Sequence, residues 1–62
     1  MKTIRQLRLE RGLTQEILAR QLNLHQSTIA HYEKGIRIPS IKTAKKIAGY
    51  FGVGLDDIKF VA

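Results

Sequence analysis

The sequence has 62 residues, the size of one small domain, and it contains no cysteine, which excludes disulfides and thiolate zinc sites and suits a reducing cytosol. Its 11 basic and 5 acidic residues give a formal net charge of +6. No apolar run of ~18 residues spans a membrane, and the first residues lack the apolar stretch of a signal peptide.

The charges are unevenly placed. From Ile17 to Leu55 the only acid is Glu33, while Arg20, Lys34, Arg37, Lys42, Lys45 and Lys46 fall in the same stretch. Such a surface attracts polyanions. By charge alone, a soluble protein that is merely basic fits almost as well.

The predicted elements are short helical runs separated by turn signals, with no strand alternation. The first runs from Thr3 to Arg11, with Thr3 as N-cap, Ile4 and Leu7 on one face, Arg8 beside it and Gly12 as terminator. Leu9 lies off the apolar face. The second runs from Thr14 to Gln21 or Leu22. Thr14 caps it, Glu16 sits at its positive end, and Leu18 and Leu22 are one turn apart. Ala19 is small enough for a second helix to approach. Asn23 is suited to a left-handed turn, and Leu24 anchors that turn to the core.

The third run extends from Gln26 to Lys34 and ends at Gly35. Ile29 and Tyr32 point inward. Ser27, Ala30, His31 and Lys34 follow helical spacing on the opposite face, which is polar apart from Ala30 and carries no acid. Ile36 to Pro39 form a loop, and Ser40 caps the fourth run, Ile41 to Phe51. Ile41, Ala44, Ile47, Ala48 and Phe51 form its apolar stripe. Lys42, Lys45 and Lys46 lie away from it, either as a solvated face or as phosphate contacts. Gly52 closes the run. A fifth short helix is expected from Leu55 to Ile58 or Lys59. The fold class is therefore all-α, a compact bundle of five short helices. Its second and third helices are joined by a tight turn, the helix-turn-helix signature.

The strings LTQEILARQL (13–22) and NLHQSTIAHYEKG (23–35), with Pro39-Ser40, Lys46-Ile47-Ala48, Phe51-Gly52-Val53 and Leu55-Asp56 at matching spacing, carry a resemblance. The sequence resembles the phage repressor and Cro family, the XRE-like regulators. This resemblance implies a single lambda-repressor-like domain over 1–62, with its motif at about 14–33. It also implies double-stranded DNA as partner, with the third helix in the major groove. Gln26, Ser27, Ala30 and His31 then match base-reading positions. Gln26 is suited to adenine N6 and N7, and Ala30 to a thymine methyl. Gln15 looks like the family's phosphate-gripping glutamine. Thr14, Lys34, Arg37 and Lys42 join it as phosphate contacts, helped by main-chain N–H groups around Ile36 and Arg37. Arg8 and Glu33 match an internal salt bridge. Regulation of transcription, as a cytoplasmic repressor, is the expected activity, and the segment of Val53, Gly54, Phe60 and Val61 matches a dimer contact used on a near-palindromic operator.

Three positions depart from the family pattern. His25 is a poor N-cap for the reading helix, Ile17 replaces a frequent acid and suits a protein contact, and Gly54 replaces a hydroxyl cap. An antitoxin-type module, which binds a protein partner and its own promoter, is the alternative. No metal, cofactor or enzymatic activity is expected. His25 and His31 do not share a helix face, and no acid–base constellation accompanies Ser27 and His31.

Overall fold

The computed structural model describes residues 1–60; Val61 lies outside the described residues. In chain order the elements are β1 (Lys2–Thr3), α1 (Ile4–Glu10), α2 (Gln15–Gln21), α3 (Gln26–Lys34), α4 (Ile41–Phe51), a 3-10 turn (Leu55–Asp57) and β2 (Ile58–Lys59).

The helix starts are set by side chains that accept otherwise unpaired backbone N–H groups. Thr3 accepts from Gln6 N at 3.1 Å, and Gln6 Oε1 accepts from Thr3 N at 2.9 Å, a reciprocal capping box. Thr14 caps α2 through Ile17 N, and Ser40 caps α4 through Thr43 N. The start of α3 differs, since His25 makes no side-chain capping bond. Asn23 turns the chain between α2 and α3 at φ 57°, the one left-handed non-glycine residue among those described. Leu24 N donates to Ala19 O at 2.8 Å and pins the turn to the end of α2.

The core joins one face from each helix. Leu18, Leu22, Ile29 and Ile47 are its largest fully buried side chains, and Ile4, Leu7, Tyr32, Ala48, Phe51 and Ile58 surround them. Buried Ala19 leaves room for α3 against α2. Arg11 adds a second kind of fastening. Its guanidinium donates to the carbonyls of Tyr50 at 3.2 Å and Phe51 at 2.9 Å, and lies 5.6 Å and 5.1 Å from the two ring centroids. A cation is favoured at the C-terminal end of α4 by the helix dipole and by the aromatic faces.

Two expectations are corrected. The fifth helix shortens to the 3-10 turn, and Ile58–Lys59 then extends to pair in parallel with Lys2–Thr3, in register Lys2↔Ile58 and Thr3↔Lys59. Ile58 thereby stays in the core while its backbone bonds to the other end of the chain. Ile41, placed on the apolar stripe of α4, is 67% exposed. It is the first residue of its helix and adjoins the loop whose Ile36 and Ile38 are also exposed, so no core faces it.

Asn23→Ala is expected to cost about 1 kcal/mol, because a Cβ without a local hydrogen-bonding group disfavours the left-handed region. This should lower the melting temperature by roughly 4–8 °C. Asn23→Gly should stay near the parent value, and thermal unfolding followed by circular dichroism distinguishes the two.

Candidate nucleic-acid interface

The third helix is held by its buried face, Ile29 and Tyr32, and this fixes what its other face presents. Gln26, Ser27 and Lys34 are exposed, and Ala30 and His31 are half-buried beside them. Thr14, the cap of α2, and Gln15, its first residue, line one open surface depression together with Gln26 of α3. Lys34, Arg37 and Lys42 lie outside that depression and are exposed.

The acid on α3 is withdrawn from this face. Glu33 Oε2 accepts from Arg8 Nε at 2.7 Å, and its Oε1 accepts from Arg8 Nη2 at 3.0 Å, a bidentate pair. The two side chains are only 10% and 4% exposed. Arg8 Nη1 donates to Leu13 O at 2.8 Å, so the guanidinium also ties down the loop between α1 and α2. No buried side-chain polar atom among the described residues lacks a partner. Three of the four remaining acids are occupied too, Asp56 being the exception. Glu10 pairs with Lys2 at 2.6 Å, Glu16 pairs with Arg20 at 3.1 Å, and Asp57 accepts from Gly54 N at 3.2 Å. Among the described residues, Lys34, Arg37, Lys42, Lys45 and Lys46 are in no ion pair. The result is a helical face with no free acid, with unpaired cations at its end and on the segments that follow.

Other predicted contacts look different in the structure. The backbone N–H groups of Ile36 and Arg37 are not free for phosphate. Both donate to His31 O, at 2.9 Å and 3.3 Å, because the chain folds back over the last turn of α3 at Gly35, φ 74°. Thr14 Oγ1 is already the cap acceptor of α2, which leaves its hydroxyl hydrogen as the group to offer. Gln15 is half-buried and its Nε2 donates to Glu33 Oε1 at 3.1 Å. That bond, the Leu13 carbonyl contact and the Arg11 clamp have no signature in sequence spacing. Each joins side chains to groups whose neighbourhood exists only after the helices pack.

A helix-turn-helix family model matches residues 4–58 of the chain. An uncharacterized HTH-type transcriptional regulator of Methanocaldococcus jannaschii is 51% identical over 47 residues, covering 76% of this chain and 71% of that protein. The cryptic phage CTXphi transcriptional repressor RstR of Vibrio cholerae is 38% identical over 55 residues, covering 89% of this chain but 50% of that protein. An uncharacterized HTH-type transcriptional regulator of Archaeoglobus fulgidus is 40% identical over 55 residues, covering 89% and 79%. The chain belongs to the helix-turn-helix family, in its Cro/C1 (XRE) type. It is a DNA-binding domain of transcriptional regulation, and the family is not a class of enzymes.

Glu33→Gln breaks the charge pair and leaves Arg8 buried without its anion. A loss of about 3–5 kcal/mol is expected from urea unfolding, comparable with the whole stability of roughly 3–5 kcal/mol for a domain of this size. Glu10→Gln, at the half-exposed pair with Lys2, should change stability by less than about 1 kcal/mol.

Proposed function

We propose that the chain is a sequence-specific, double-stranded DNA-binding repressor that lays α3 in the major groove. One observation supports this most: an acid-free helical face with free cations on the segments that follow it, its only carboxylate buried against Arg8. A major groove admits one α-helix, and its base edges are read by hydrogen bonds and methyl contacts. Gln26 and Ser27 at the start of α3 reach base edges first, and Ala30 and His31 follow one turn later. Thr14 and Gln15 at the start of α2, with Lys34 at the end of α3 and Arg37 and Lys42 beyond it, hold the phosphates on either side. These contacts set the register, and the base contacts choose the sequence. The exposed side chains of Lys34 and Arg37 act without help from the N–H groups of Ile36 and Arg37, which serve the turn. Residues 1–62 act as one domain with the motif at about 14–33, working in the cytoplasm on the nucleoid. Repression is steric, because an occupied operator excludes polymerase.

Two copies bind a near-palindromic operator, with half-sites about 34–36 Å apart. Val53 and Phe60 pack partly against their own core, and Gly54 is exposed. The second copy then adds to a surface already half-covered, and pairing depends on DNA. Sedimentation should show a one-chain species in free solution and two chains on the operator.

Selection from random duplexes should yield a discrete, near-palindromic site. With three cations per copy on phosphate, log K should fall against log salt with a slope of about −5 for two copies. Lys34→Ala and Arg37→Ala should each flatten that slope without changing the selected sequence. His31→Gln should change the base preferred at the position that residue 31 reads, while leaving the salt slope unchanged. Weak, sequence-blind binding with no selected site would sink the proposal.

A further inference from the structure

Glu33 has three hydrogen bonds, and only two go to Arg8. The third comes from Gln15 Nε2, across the α2–α3 boundary, at 3.1 Å. An ionised carboxylate only accepts hydrogen bonds. It therefore dictates which end of the Gln15 amide turns inward: the NH2 group faces Glu33, and one N–H remains for the outside. The carboxylate cannot swing away, since Arg8 grips both of its oxygens and is itself anchored on Leu13 O. Nor does it repel an approaching phosphate as a free anion does, because the guanidinium beside it balances its charge.

We infer that Glu33, held by Arg8, is a positioning residue for DNA binding: it locks the Gln15 amide with an N–H directed outward to a backbone phosphate. The inference rests on the proposed phosphate role of Gln15. It gives the buried pair a second task, distinct from joining α1 to α3. It also reverses a simple electrostatic expectation, in which removing a carboxylate near DNA strengthens binding.

The test separates positioning from stability by removing both charges together. In the double variant Arg8→Met/Glu33→Leu no charge is orphaned, and such replacements commonly keep or raise stability. Melting temperature and affinity for the selected duplex are measured for this variant, for Gln15→Ala and for the triple combination. The double variant is expected to melt no lower than the parent yet to bind about tenfold more weakly, the scale of one charge-assisted hydrogen bond. Gln15→Ala should lose the same factor, and the triple variant no more than either. Parent-like affinity in the double variant overturns the positioning role and leaves the DNA reading intact. So do losses that multiply in the triple variant, since Gln15 then grips phosphate unaided. Parent-like affinity in Gln15→Ala removes the phosphate role and the positioning with it, while a parent protein that binds no duplex removes the proposed function as a whole. Should the double variant not fold, the side-chain amide of Gln15 in the unmodified protein decides by NMR. Protection from solvent exchange of one Nε2 proton, the one donated to Glu33, upholds the lock, and two equally unprotected protons overturn it.

Discussion

A guanidinium and a carboxylate buried together organise this small domain. Arg8 on α1 and Glu33 on α3 are nearly excluded from solvent, and each needs the other because an isolated charge there is costly. Their bonds reach two further places: the Leu13 carbonyl in the first loop and the Gln15 amide at the head of α2. The apolar core sets which face of each helix turns inward. The bidentate pair adds a directional constraint between α1 and α3, because its two parallel bonds form in only one orientation.

The same pair shapes the electrostatics of the surface. The acid of α3 sits at the residue before Lys34, on a helix whose other outward groups are neutral or basic. Its neutralisation in place lets cations on the following loop and on α4 act over a face that carries no opposing field. Lysines near the start of α4 are unfavourable neighbours for that helix's positive end, and Lys42 lies in its first turn with no acid to compensate. The arrangement costs a little helix stability.

Much of this architecture was legible in the residues. Thr3, Thr14 and Ser40 mark three helix starts, and Gly35 and Gly52 mark two ends, because capping is local and needs only neighbours in sequence. The outward set on α3 followed from helical spacing once Ile29 and Tyr32 were assigned inward. The Arg8–Glu33 pair was reached through family resemblance, and spacing alone does not disclose it. What escaped is non-local. The β1–β2 pairing joins two-residue segments at opposite ends of the chain, too short for alternation to register. The clamp of Arg11 on α4 and the bond from Gln15 to Glu33 depend on packing. The exposure of Ile41 shows the limit of periodicity, which states which side a residue lies on and not whether anything stands opposite.

The pairing of Lys2 with Ile58 brings the start of the chain beside its last described strand. Closing so wide a loop carries a large entropy cost until the intervening helices have packed. The ladder is expected to close after the helices have packed, like a clasp fastened once the ring is already round. Lys2–Thr3 and Ile58–Lys59 lie side by side, so a change that loosens one segment is felt at the other across the full span of helices between them.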